Sequence, residues 1–225
     1  MSACFNHVKS FIRNLSAPAE FCLVLFICFG LGIGYQTWAI INRHLLLLNN
    51  RHLLVTVILE LFYLALIFWI GRIRGWSLAA FGWQVSWKWT GAGILLFLAV
   101  TAAQIFVIVV ANVIHPEESG FTVIGLTVPV IFVVSVINPF FEEALESGYI
   151  IHSLQRFGLW PAVSASGAFR GLLHLYQGFN GALSIFVLGV VFGLVYWRWR
   201  QLWPLIVAHF LCDFIGLLYL THRAG

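Results

Sequence analysis

Seven apolar stretches, most of them long enough to cross a bilayer, dominate this sequence. They lie at roughly 19–41, 53–71, 91–114, 124–150, 160–177, 182–199 and 202–220. A spanning helix needs about 20 mainly apolar residues. Only helices and closed barrels satisfy their own backbone hydrogen bonds in lipid. The fold class read from the apolar stretches is all-α: a polytopic transmembrane helix bundle of about seven spans. Composition agrees, with 61% hydrophobic and 9% charged residues, against about 25% charged in soluble domains.

No linker, repeat or low-complexity tract divides the chain, so residues 1–225 read as a single integral membrane domain. The first apolar run is too long for the core of a signal peptide and reads as a retained helix. Segment 72–90, rich in Trp, reads as interfacial, and 115–123 as a polar loop. With the N-terminus cytoplasmic, inner segments hold Lys9, Arg13, Arg72, Arg74, Lys88, Arg156, Arg198 and Arg200, against Arg43, Arg51 and Arg223 outside. That bias supports the orientation. It also explains the net charge of +4 without nucleic acid as a partner. Cys4, Cys22, Cys28 and Cys212 lack metal-finger spacing and read as small buried residues.

Three polar stretches interrupt the last third. They are Asn138-Pro-Phe-Phe-Glu142-Glu143-Ala-Leu-Glu146-Ser147, then Phe169-Arg170-Gly-Leu-Leu-His174, then His209-Phe-Leu-Cys-Asp213. An ionisable group at bilayer depth costs roughly 2.5–3.5 kcal/mol and persists where it faces a partner or a wet cavity. On a helix Glu142 and Glu146 share a face, with Glu143 turned by about 100°. Arg170 and His174 also share a face, as do His209 and Asp213. Arg170 is the natural counter-ion of a Glu, because an unpaired buried guanidinium is far costlier. A carboxylate of this cluster suits a general base, and carboxylates with histidines suit positioning a water and stabilising an oxyanion. Other roles remain open: a Glu cluster solvated among headgroups, an interfacial His174, a His209–Asp213 pair that staples helices or forms half of a metal site. No Ser or Cys has an obvious base beside it, although Ser147, Ser164 and Ser166 lie close in sequence.

Together the three stretches resemble the CPBP family, the CAAX proteases and bacteriocin-processing (Abi) proteins. That family carries Glu-Glu-x-x-x-Arg, Phe-x-x-x-His and His-x-x-x-Asn or Asp on successive core helices. The resemblance covers about 124–220 and makes that part the catalytic core. It implies an intramembrane endopeptidase that hydrolyses a peptide bond with a glutamate-activated water. Glu142 would be the base, Glu143 its neighbour in tuning, and His174 a holder of the water. His209 and Asp213 would face the oxyanion, Asp213 by orienting His209. It implies no metal and no cofactor. The partners would be a peptide or lipidated protein substrate and membrane lipid, in a bacterial or archaeal cell membrane, with access from the cytoplasmic side. Two departures stand out. Ser147 replaces the family's Arg, and Arg170 replaces the Phe before the His, so the cation moves from one helix to the next. Glu146 replaces an aromatic residue, and pairing with Arg170 is one role for it. The Tyr176-Gln177-Gly178 run fits a divergent branch. Competing readings are a non-catalytic immunity or scaffold protein of the same fold, a transporter, and a zinc protease, the last lacking the His-Glu-x-x-His helix.

Overall fold

A computed structural model describes residues 2–42, 44–77, 81–117 and 120–224. Helix α1 (Ser2–Asn14) precedes α2 (Ala17–Ile41), β1 (Leu46–Leu48), α3 (Asn50–Arg74), α4 (Trp87–Ile114), β2 (Phe121–Val123) and α5 (Val128–Glu142). The α5 helix continues through a π-helical stretch, Glu143–Ile150, into α6 (Ile151–Leu154) and a 3₁₀ turn, Gln155–Phe157. Then follow α7 (Leu159–Leu173), a second 3₁₀ turn (Leu175–Gln177), α8 (Phe179–Trp199) and α9 (Trp203–Ala224). Local chemistry sets these starts. Ser16, Asn49 and Ser86 accept the N–H of Ala19, His52 and Trp89 at the N-termini of α2, α3 and α4.

Six of these segments are long and apolar enough to cross a membrane: 17–41, 50–74, 87–114, 128–157, 179–199 and 203–223. The all-α bundle therefore stands, with one refinement. The run at 160–177 folds into a 15-residue α7, about 22 Å at 1.5 Å per residue, and a separate 3₁₀ turn. It is wedged against α8 by small residues. A Cβ on Gly189 would lie 2.8 Å from the Gly167 Cα, and one on Gly193 would lie 3.0 Å from the Val163 side chain. Small residues let membrane helices approach this closely.

In the described part of segment 72–90, Gly75 ends α3 in the left-handed conformation, and Gly82 also has positive φ. Trp76 packs on Tyr149 with ring centres 5.1 Å apart, and Trp83 stacks on Phe140 at 5.8 Å. Trp87 alone of these three indoles stays on the outside, 92% exposed. The 115–123 loop also gains structure. Phe121-Thr-Val123 pairs in parallel with Leu46–Leu48, Leu46 opposite Phe121, because β-branched and aromatic residues suit a pleated, half-buried pairing. Among the cysteines Cys28 is buried and Cys212 partly so, but Cys22 is exposed, on the apolar outer face of α2. The Cys4 side chain and Arg43 lie outside the described residues.

Two ends can be distinguished. Arg74 donates to the Arg13 carbonyl at 2.8 Å and pairs with Glu20. Leu202 N–H donates to Gly82 O at 3.0 Å, beside Arg200, and Trp89 meets Trp199. Arg72, Arg74, Lys88, Arg198 and Arg200 thus share one end. At the strand end Glu117 accepts the Asn180 backbone N–H at 2.9 Å, while the Asn180 side chain donates to Asn112 and to the His115 carbonyl, both at 2.8 Å. The N–H groups of Asn180 and Phe179 hold the Glu117 carboxyl below its usual pKa, opposed by slight burial. A lowered native pKa gives stability that is present above the unfolded value and lost as pH falls through the native one. The thermal-midpoint advantage of wild type over Glu117→Gln is therefore expected at pH 7. It should shrink below pH 4.5, the ordinary value, and vanish in stronger acid; an advantage that persists there would contradict this cap.

Candidate active site

The site forms where α5, α7 and α9 meet. Pro139 lies inside α5 and removes one helical hydrogen bond. The π-helical stretch follows directly, and such stretches widen the turn and gather at functional sites. Glu143 and Ser147, four residues apart, share a face there, and Ser147 Oγ donates to Glu143 Oε2 at 2.6 Å. Ser166 Oγ donates to the Glu146 carbonyl at 2.7 Å and so satisfies backbone in the irregular turn. Ser164 is exposed. The Glu143 carboxylate that accepts from Ser147 is also held by Arg170 and His209, at 2.8 and 2.7 Å.

Arg170 is the hub. It is 1% exposed, and its guanidinium lies 2.8 Å from Glu143 Oε1 through Nη2, 2.8 Å from Glu146 Oε2 through Nε and 3.7 Å from Glu142 Oε2 through Nη1. Phe192 lies under it, 5.5 Å from the ring centre. The cation on α7 thus reaches all three carboxylates of the preceding element. Glu146, an aromatic position in the resembled family, is the acid that engages Nε.

His209 on α9 approaches Glu143 Oε1 through Nδ1 at 2.7 Å. A carboxylate only accepts, so Nδ1 carries the proton. Its Nε2 faces Asp213 Oδ1 at 3.5 Å and Glu142 Oε2 at 3.8 Å. The expected His209–Asp213 pair is present, but the tighter grip on the ring comes from Glu143. Asn138, left without a role in the sequence reading, donates to Asp213 Oδ2 at 3.2 Å. His174 Nδ1 donates to the Arg170 carbonyl at 3.0 Å, which leaves a lone pair on Nε2.

Glu142, Arg170, His174, His209 and Asp213 line one cavity of about 480 Å³, together with Asn138. Glu143 and Glu146 lie behind it, fully buried. The cavity runs from this cluster past Tyr35, His52 and Leu46 toward the strand end. Below it, toward the basic end, Phe81, Leu96, Ile151, Phe192 and Leu205 pack solidly.

A family model described as Type II CAAX prenyl endopeptidase Rce1-like matches residues 124–215. This segment is Rce1-like. The likeness read from the three motifs is borne out over that stretch, which holds all the site residues named from sequence. No curated protein and no solved structure matches the chain. The cavity wall also draws on residues outside the Rce1-like segment, among them an acid, Glu60 of α3, 5% exposed. Sequence reasoning passed over it, although an acid in mid-span is itself the signal. Among the described residues no three His, Cys, Asp or Glu side chains are arranged to hold a metal ion.

Proposed function

We propose that this protein is a CAAX-protease-like intramembrane endopeptidase that uses a carboxylate-activated water and no metal. One observation carries the reading. Glu142 keeps a buried oxygen without a hydrogen-bond partner, at 3.7 Å from Arg170 and 3.8 Å from His209, on the wall of a cavity within the Rce1-like segment. Gaps of this length suit a bridging water.

Water held between Glu142 and His174 Nε2 attacks the scissile carbonyl carbon while Glu142 takes its proton. The oxyanion forms beside His209, whose ring is fixed by Glu143 and whose Nε2, when protonated, donates to it. Asp213, braced by Asn138, sets the far side of that ring. As the C–N bond breaks, Glu142 returns the proton to the leaving amine. Arg170 balances the Glu cluster throughout. The substrate is a peptide or a lipidated protein tail, the CAAX type carrying a prenylated Cys near its C-terminus. The N-terminus lies with the basic end in the cytoplasm.

The test is reconstitution in lipid vesicles with prenylated and unprenylated peptide sets, read by mass spectrometry. The expected result is a pair of products whose masses sum to substrate plus one water. No product from either set would favour a non-catalytic membrane protein of the same fold.

A further inference from the structure

The cavity has more acceptors than the site chemistry uses. Its described wall carries three carboxylates, Glu60, Glu142 and Asp213, and one permanent cation, Arg170. That guanidinium is already engaged at 2.8 Å by both Glu143 and Glu146. With His209 counted as well, two basic groups face five acidic side chains among the described residues. Glu60 is the acid left over. It is buried, within electrostatic reach of Glu142, Asp213 and His209. Its Oε2 has no hydrogen-bond partner among the described residues. Leaving a buried acceptor unsatisfied costs about 1–3 kcal/mol, more for a charged one.

Position adds a direction. His52, Thr56 and Glu60 recur every four residues on α3, so they form one polar stripe on an otherwise apolar helix. That stripe descends the cavity wall from the strand end toward Glu142. Gln36 on α2, across the same cavity, has a further acceptor, Oε1, without a partner. The described acids do not converge as metal ligands would. They are spread along a wall, an arrangement that suits an extended organic cation with several N–H donors.

We propose that Glu60 is the base of a subsite for a basic side chain, Lys or Arg, of the peptide in the cavity. This subsite rests on the endopeptidase reading for its occupant, and Glu60 would set specificity there without touching the reacting atoms. Removing one charge of a desolvated pair weakens binding strongly, so the preference for the charged peptide should be at least about 10-fold.

The experiment uses the full chain in lipid nanodiscs and fluorescent apolar peptides, each with one lysine at a different position, alongside norleucine counterparts. Binding is measured in the Glu142→Gln background. At one position the lysine peptide should bind at least ~10-fold tighter than its norleucine twin. Adding Glu60→Gln should bring that ratio to near 1, and Glu60→Lys should reverse it in favour of a glutamate peptide. If Glu60→Gln fails to fold, Glu60→Asp keeps the charge but retracts it, and should lower the ratio without abolishing it. Equal binding of lysine and norleucine peptides at every position, or a preference that survives Glu60→Gln, would overturn the subsite. Cleavage by wild type separates the two ideas. Cleavage without any lysine preference removes the subsite and leaves the endopeptidase. Glu60-dependent lysine binding without cleavage by wild type leaves the subsite and removes the endopeptidase.

Discussion

Glu142→Gln should lower peptide hydrolysis by about 10²–10⁴-fold, the usual contribution of a positioned general base. An amide of the same shape cannot take a proton from water. The protein itself should remain folded, because Glu142 makes only long contacts, 3.7 Å to Arg170 and 3.8 Å to His209. Its thermal midpoint in detergent should move little. Glu143 offers the contrast. It accepts from Arg170, His209 and Ser147 at 2.8, 2.7 and 2.6 Å and is fully buried. Glu143→Gln should therefore lower activity and stability together. If Glu142→Gln still cleaved at the wild-type rate, another group would have to activate the water.

Arg170→Ala should cost about 3–5 kcal/mol of stability, as expected when one partner of a buried ion pair is removed and the other charge is stranded. Here three acids would be stranded, two of them fully buried. The guanidinium also fills space, with its stem 3.2 Å from where a Cβ on Gly189 would lie. Size-exclusion profile and thermal midpoint would report the loss. Arg170→Met combined with Glu143→Gln and Glu146→Gln should recover part of it, since the two fully buried acids then carry no charge. If Arg170→Ala behaved as wild type, the three contacts would carry no stabilising weight.

Much of this arrangement was legible in the sequence, and the exceptions have physical causes. Apolar run length located the helices, and the spacing of Arg170, His174, His209 and Asp213 placed each on a usable face. The Glu-to-Arg pairing was readable because a lone guanidinium in lipid demands acids. Regular α-helical geometry turned Glu143 away from Glu142 and did not anticipate the π-helical stretch Glu143–Ile150. Run length also merged α7 and its 3₁₀ turn into one span, since Leu, Tyr and His continue the apolar character past the helix end. The pairing of Leu46–Leu48 with Phe121–Val123 depends on distant segments and has no local signature. Glu60 was visible as a mid-span acid but stood alone, and the reading followed clusters.

Because the acids sit before the Gln155–Gly158 turn and their guanidinium after it, neither half of this hairpin is neutral alone. Each charge presented singly to hydrocarbon would cost roughly 2.5–3.5 kcal/mol. During biogenesis the two halves must therefore leave the insertion machinery as a joined unit, with the ion cluster already closed. The order of membrane integration is thus written into the chain by which side of a tight bend each charge occupies.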